Sequence, residues 1–319
     1  YRSGDFGTFG SELHKQLGIE QPETQEVVNQ LMRVMGNRPN AQLLNYWIAN
    51  SGPDLDWYIG TAEHELLTSD HDTPTDPEKP YVFPERCPVN ENYNWREENY
   101  PCFPGMVHLL PDHGWAMHGT LEAAQAAGAE ARFNVKGEQL IKEGDRVTGV
   151  YASDEDGNII RVNAKLGVVL STGDISSNTE MLTYYAPQAT KYGVFFSSMD
   201  KEGKPVNQGD GHRMAIWAGA VMEDGPYAPM THSLGTNSIG INPYLMVNQD
   251  GQRFANEDVG AQELQNAIKR QKGGVSYQIF DSKWKEQLSV MPQCFGGVTH
   301  YIPPEQEDHY AHAINHSAA

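Results

Sequence analysis

Two short stretches have the residue types that let a main chain hold a ligand. Val168-Val-Leu-Ser-Thr-Gly-Asp174 runs from an apolar segment into small residues, and Gly209-Asp-Gly211 opens a helical pattern through Met214, Ala215 and Ala218. Where a strand or loop feeds a helix through small residues, backbone N–H groups come within reach of a phosphate or of the edge of a cofactor ring. Each stretch also has a plain reading: Thr-Gly can serve turn geometry alone, and Asp210 can simply cap its helix. If both face one ligand, Ser171, Thr172, Gly173 and Asp210 must meet at the carboxyl edge of one sheet.

Other reactive side chains carry weaker signals. Arg253 and Glu257 stand four apart, a spacing that suits an intramolecular ion pair better than chemistry. His309, His312 and His316 can share a helical face, and His108, His113 and His118 are similarly spaced, yet no cysteine or carboxylate joins either set at a metal-ligand spacing. Cys87, Cys102 and Cys294 form no C-x-x-C pair; Cys87 and Cys102 can pair only in an exported protein, and buried free thiols are the plainer reading. No G-x-S-x-G elbow is present.

These residues need a scaffold, and the periodicity supplies one. Val27, Val28, Leu31, Met32 and Met35 predict a helix over 23–36 ending at Gly36; Leu43, Leu44, Trp47 and Ile48 predict a second over 40–51, stopped by Gly52-Pro53. Residues 68–105 show neither period and read as a long loop. A small-residue helix from 117 to Gly128 follows, with strand character at 131–135. Gln139–Ile141, Val147–Tyr151 and Ile159–Val162, separated by Gly144-Asp145 and Asp156-Gly-Asn158, predict an antiparallel meander. Leu166-Gly-Val-Val-Leu170, apolar without alternation, predicts a strand buried on both faces. Further on come a helix at 209–220, a strand at 244–248, a turn at 249–252, a helix near 260–272 and a strand at 275–280. This mixed order indicates α/β plus α+β architecture.

With 39% apolar and 20% charged residues, the 319-residue chain is long enough for one large core or two moderate ones. The 42 acidic against 23 basic residues, a net charge of −19, oppose general affinity for nucleic acid or anionic membranes. No apolar run reaches the ~20 residues of a membrane span. Tyr-Arg-Ser-Gly at the start is neither a signal peptide nor an initiator methionine, so preceding sequence is expected, and cytoplasmic or exported localisation stays open.

The stretch Gly167-Val-Val-Leu-Ser-Thr-Gly-Asp-Ile-Ser-Ser-Asn178 resembles the second FAD motif, A-T-G-G-F followed by Asn, of the fumarate reductase/succinate dehydrogenase flavoproteins. Gln208-Gly-Asp-Gly-His-Arg-Met-Ala-Ile-Trp-Ala-Gly-Ala220 is similar to their T-G-D-G-x-x-M-A-x-x-A-G-A, and Val247-Asn-Gln-Asp-Gly-Gln-Arg-Phe-Ala-Asn-Glu257 to their V-N-x-x-G-x-R-F-x-N-E. Gly4-Asp5-Phe-Gly-Thr-Phe-Gly10 falls where the family runs a glycine-rich loop beside the flavin. The resemblance, over nearly all of 1–290, implies a Rossmann-like FAD-binding domain with a β-meander over 1–225 and a smaller capping domain over 226–319. It implies FAD contacts at Gly4, Asp5, Gly137 (near the adenine), Ser171, Thr172, Gly173, Asp174 and Asp210. A small-molecule substrate and a separate electron-donor protein are the partners it implies.

Three departures qualify it. The family's first strand with G-x-G-x-x-G is expected before Tyr1, and its C-terminal return to the flavin domain is also outside the chain. Asp174 replaces the second glycine of A-T-G-G, which adds an anionic side chain near the expected cofactor. Ala261 stands where fumarate reductases carry their arginine acid, four residues after the Glu of R-F-x-N-E. The resemblance therefore implies hydride transfer between FAD and an activated C=C bond, in an enone, enoate or steroid-like substrate, rather than fumarate reduction. His232, in Pro229-Met-Thr-His-Ser233, lies near the family's substrate-binding histidine and is the expected proton donor, with Tyr227 or Tyr244 as substitutes. The rival reading is a non-catalytic relative that keeps the fold for binding or assembly.

Overall fold

The structure, a computed structural model, describes residues 5–67, 76, 78–84, 97, 103, 105–192, 199–200, 202–224, 227, 244–257, 259 and 261–288. Gly4, His232, the three cysteines and His309, His312 and His316 lie outside them. The chain divides into two compact units, one of residues 1–130 with 233–319 and the other of residues 131–232.

The first unit begins with β1 (Asp5–Gly7), α1 (Glu12–Gln16), α2 (Thr24–Val34) and α3 (Ala41–Ile59), followed by β2 (Glu65–Leu66), β3 (Tyr81–Pro84), β4 (Met106–Leu110) and α4 (Gly114–Ala126). The four strands make one sheet in the order β1-β4-β3-β2, antiparallel except for the β2–β3 pair. One core gathers Leu13, Leu55, Ile59, Val82, Val107, Leu109 and Ala116 between sheet and helices. Another joins Val27 and Val28 of α2 to Ile48 of α3 and to Phe9.

Helix α3 corrects the expected stop at Gly52-Pro53. It continues to Ile59 with Pro53 inside it. A proline removes one helical N–H and crowds the preceding turn, but here tertiary contacts outweigh that cost. Leu55 and Ile59 on the extra turns are buried in the sheet's core. The Asp56 carboxylate accepts from the Glu12 N–H at 2.8 Å. Gly52 allows the loop to lie against the helix: a Cβ there would meet the Phe9 carbonyl and stand 2.5 Å from the Ser11 nitrogen. The expected stripe is also turned, since Ile48 is buried while Leu43 is 66% exposed. A second correction is β3, inside the expected long loop: Tyr81, Val82 and Pro84 are buried there against β4.

The second unit opens with the meander, observed as expected: β5 (Lys136–Glu143), β6 (Arg146–Ser153) and β7 (Ile159–Asn163), antiparallel in sequence order. Residues 131–135, expected to have strand character, precede β5 and form no strand. Then come α5 (Thr179–Tyr185), α6 (Pro187–Tyr192) and α7 (Asp210–Trp217). The expected strand over 166–170 is not formed. Ala164 donates to the Thr148 carbonyl at 2.8 Å, extending the meander by one residue, and the chain then leaves the sheet. A strand buried on both faces needs a sheet to join and layers packed over each face; among the described residues no strand pairs with 166–170, and Leu166 is 97% and Val169 88% exposed.

The first unit resumes with β8 (Leu245–Val247), α8 (Ala261–Lys269), β9 (Tyr277–Ile279) and α9 (Trp284–Leu288), β8 and β9 pairing antiparallel. Met246, Leu264 and Ile268 are its core. Turn chemistry recurs along the chain: in 154–158, 200–204 and 248–252 the first residue's Oδ1 accepts from the N–H groups two and four places on, at 2.8–3.1 Å. The fourth residue is a glycine with positive φ in each, the backbone shape such a loop requires.

His14 is fully buried at the start of the first unit. Its Nδ1 stands 2.6 Å from Ser11 Oγ, the side chain that caps α1, while Nε2 has no hydrogen-bond partner. Burial lowers its pKa from 6.5 to about 4. Between those values the unfolded chain binds a proton that the folded chain refuses, so stability falls as pH drops through this window. Thermal melts across pH 7 to 4 should therefore show a steeper loss for the wild type than for His14→Gln, and parallel losses would contradict the assignment.

Candidate cofactor-binding site

Residues 171–178 and 207–211 meet within the second unit. Gly211, buried at the first turn of α7, lies directly against Thr172: a Cβ at 211 would overlap the Thr172 hydroxyl. The Gly209 N–H donates to the Asp174 carbonyl at 3.1 Å, and the Ser177 N–H to the Asn207 carbonyl at 2.9 Å. Side chains cross the same seam. Asn207 Nδ2 donates to Asp174 Oδ1 at 3.0 Å, Asn178 Nδ2 to the Gln208 carbonyl at 2.8 Å, and Gln208 Nε2 to the Ser177 carbonyl at 3.1 Å. Asn178 also caps α5, its Oδ1 accepting from the Met181 N–H at 3.0 Å.

The structure thus brings Ser171, Thr172, Gly173 and Asp174 next to the turn that carries Asp210. Gly137 of β5 belongs to the same region through α7, since a Cβ there would stand 3.5 Å from the Met214 methyl. The meeting point is not the edge of a sheet, because 166–170 forms no strand. Asp5 belongs to the other unit, where β1 pairs it in register with His108.

The chemistry available is that of main-chain donors beside small polar side chains. Ser171, Thr172 and Gly173 are exposed. The first amides of a helix have no partner within it, and at α7 the N-cap is Gly209, so no side chain caps them. With the helix dipole they favour an anionic or acceptor group. Asp210 pairs with Arg213 one turn along α7, which holds its carboxylate at the helix mouth. Asn207 escaped the sequence reading, and Gln208 entered it only as the first residue of a motif; the signal was their place just before Gly209-Asp-Gly.

Arg253 and Glu257 form the ion pair expected of their spacing. Arg253 Nε donates to both Glu257 oxygens at 3.1 and 3.0 Å, and Glu257 Oε1 also accepts from the buried Met246 N–H at 2.9 Å. Burial raises the Glu257 pKa, but the hydrogen bonds and charge of Arg253 with the Met246 amide outweigh it and hold the carboxyl below its usual range. The pair anchors β8.

The sequence of residues 28–287 matches the family model described as FAD binding domain. The chain belongs to this FAD-binding family. Its mixed helix-and-sheet structure also superposes on a 3-ketosteroid-Δ4-(5α)-dehydrogenase from Rhodococcus jostii RHA1 with a TM-score of 0.61, at 17% identity, covering 89% of this chain and 59% of that one. A probable fumarate reductase of Shewanella frigidimarina is 29% identical over 53% of this chain and 29% of its own length. A urocanate reductase of Eggerthella lenta is 29% identical over 49% of this chain and 27% of its own length. The matches therefore span under a third of these curated relatives. For a FAD-binding chain, the joined turns fit the need for small residues and uncapped amides at one place.

Gly211→Ala forces a methyl group into the Thr172 side chain and should cost about 1–3 kcal/mol, the usual scale of overpacking. Gly167→Ala, with open space around it, should be close to neutral. Urea unfolding of the two variants checks this, and equal midpoints would refute the packing of the two turns.

Proposed function

We propose that this chain is the flavin-holding part of an oxidoreductase that transfers hydride between FAD N5 and a carbon of an activated C=C bond. The substrate class is an enone, enoate or steroid-like molecule, and fumarate is not the substrate. The observation that carries the reading is the seam between residues 171–178 and 207–211, which puts Thr172, Gly173 and the free amides of α7 together. In this reading Ser171, Thr172, Gly173, Asp210 and Gly137 line the cofactor's place. The flavin-binding part spans 1–225 and a substrate cap begins at 226.

Bound FAD supplies the hydride chemistry, and the protein supplies orientation and a proton. The relatives whose names concern fumarate and urocanate, and the steroid dehydrogenase, support a C=C substrate. Ala261 has no proton to give, which supports a substrate other than fumarate. His232 is the proposed proton donor. Its two substitutes are already engaged: Tyr244 is buried with its hydroxyl donated to the Trp284 carbonyl at 2.6 Å, and the Tyr227 hydroxyl is donated to the Glu223 carbonyl.

The test is flavin absorbance in the purified chain and in a longer version carrying flanking sequence, followed by oxidation of the reduced flavin by an enoate, an enone and a steroid enone. Bound flavin and oxidation by at least one acceptor are expected. His232→Ala should lower turnover by roughly 10²–10⁴-fold with flavin content unchanged. A longer version that takes up no flavin would remove the enzyme reading, and unchanged turnover in the variant would remove His232 from it.

A further inference from the structure

Asp174 replaces the second glycine of the A-T-G-G motif, and its side chain is turned to a task within the seam. Its Oδ1 accepts the Ser176 N–H at 2.7 Å and the Asn207 side-chain amide at 3.0 Å. Its own carbonyl accepts the Gly209 N–H at 3.1 Å. Asn207 in turn lies against Gly173, where a Cβ would stand 2.8 Å from its Oδ1, and its carbonyl accepts the Ser177 N–H. Asp174 and Asn207 are therefore the two halves of one clasp: the Asp174 carboxylate holds the main chain of its own turn and the Asn207 side chain, and the carbonyl of each residue accepts an amide of the opposite turn.

We infer that Asp174 is a positioning residue: through Asn207 it sets the distance between the Thr172-Gly173 amides and the first turn of α7. Its consequence for cofactor affinity rests on the flavin reading above. The clasp uses Asp174 as a hydrogen-bond acceptor. It does not need the negative charge, because an asparagine Oδ1 can accept the same two bonds. An aspartate acting as a charge beside the isoalloxazine would behave oppositely, since removing it would favour the reduced, more anionic flavin and raise its midpoint potential.

The experiment compares Asp174→Asn, Asp174→Ala and Asn207→Ala with the wild-type chain by FAD titration, flavin midpoint potential and amide hydrogen exchange. Asp174→Asn should keep the wild-type FAD affinity within about twofold and an unchanged potential. Asp174→Ala and Asn207→Ala should each weaken FAD binding by about tenfold, the scale of one or two net hydrogen bonds. Both should also speed exchange at the Ser176, Ser177 and Gly209 amides in the flavin-free protein. A raised potential or tighter FAD binding in Asp174→Asn would overturn the inference, as would wild-type exchange rates in both alanine variants. If neither the wild-type chain nor its longer version takes up FAD, the flavin reading fails, and exchange in the flavin-free variants still decides whether the clasp exists.

Discussion

Backbone amides serve a ligand only if the turns that carry them are held at a fixed distance, and here the contact of Gly211 with Thr172 limits how closely they approach while the hydrogen bonds of Asp174 and Asn207 hold them there. A hydrogen atom is the largest side chain the contact admits. Once the two turns touch, the Gly209 and Ser177 amides pair across the seam. Asn178, Asn207 and Gln208 then find their acceptors on the opposite turn. Little of this is hydrophobic burial, because Ser171 through Asp174 are exposed. Geometry rather than area holds the site.

The rest of the structure applies the same economy of close approach and satisfied polar groups. Gly52 lets α3 lie against the loop of Phe9 to Ser11, and the helix then presents Leu55 and Ile59 to the sheet. Glu257 is buried because Arg253 and the Met246 amide neutralise and bond it, as a buried carboxylate requires. The three Asx-led turns close loops with an internal acceptor. His14 breaks the pattern, with a buried Nε2 that nothing satisfies, and its pKa registers the cost.

Local chemistry was legible in the sequence and long-range compensation was not. The meander followed from Gly144-Asp145 and Asp156-Gly-Asn158, since turns of this type act within a few residues. The α2 stripe was legible for the same reason. Gly52-Pro53 was misread as a stop because the forces that carry α3 onward come from residues 12, 82 and 109, far away in sequence. Tyr81–Pro84 was lost in a proline-rich surrounding, though its burial comes from pairing with β4. Leu166–Leu170 has strand composition, but composition supplies no edge to pair with. At the site, the motif residues were legible by type, whereas Asn207 and the acceptor role of Asp174 depend on a 33-residue separation that no pattern encodes.

In the proposed reading FAD is held where the two turns join. Hydrogen exchange of the wild-type chain with and without FAD measures this amide by amide. Slowed exchange is expected, concentrated at residues 172–174 and 210–212, the turn and the uncapped start of α7. Flavin binding that leaves these amides unchanged while protecting others would contradict it.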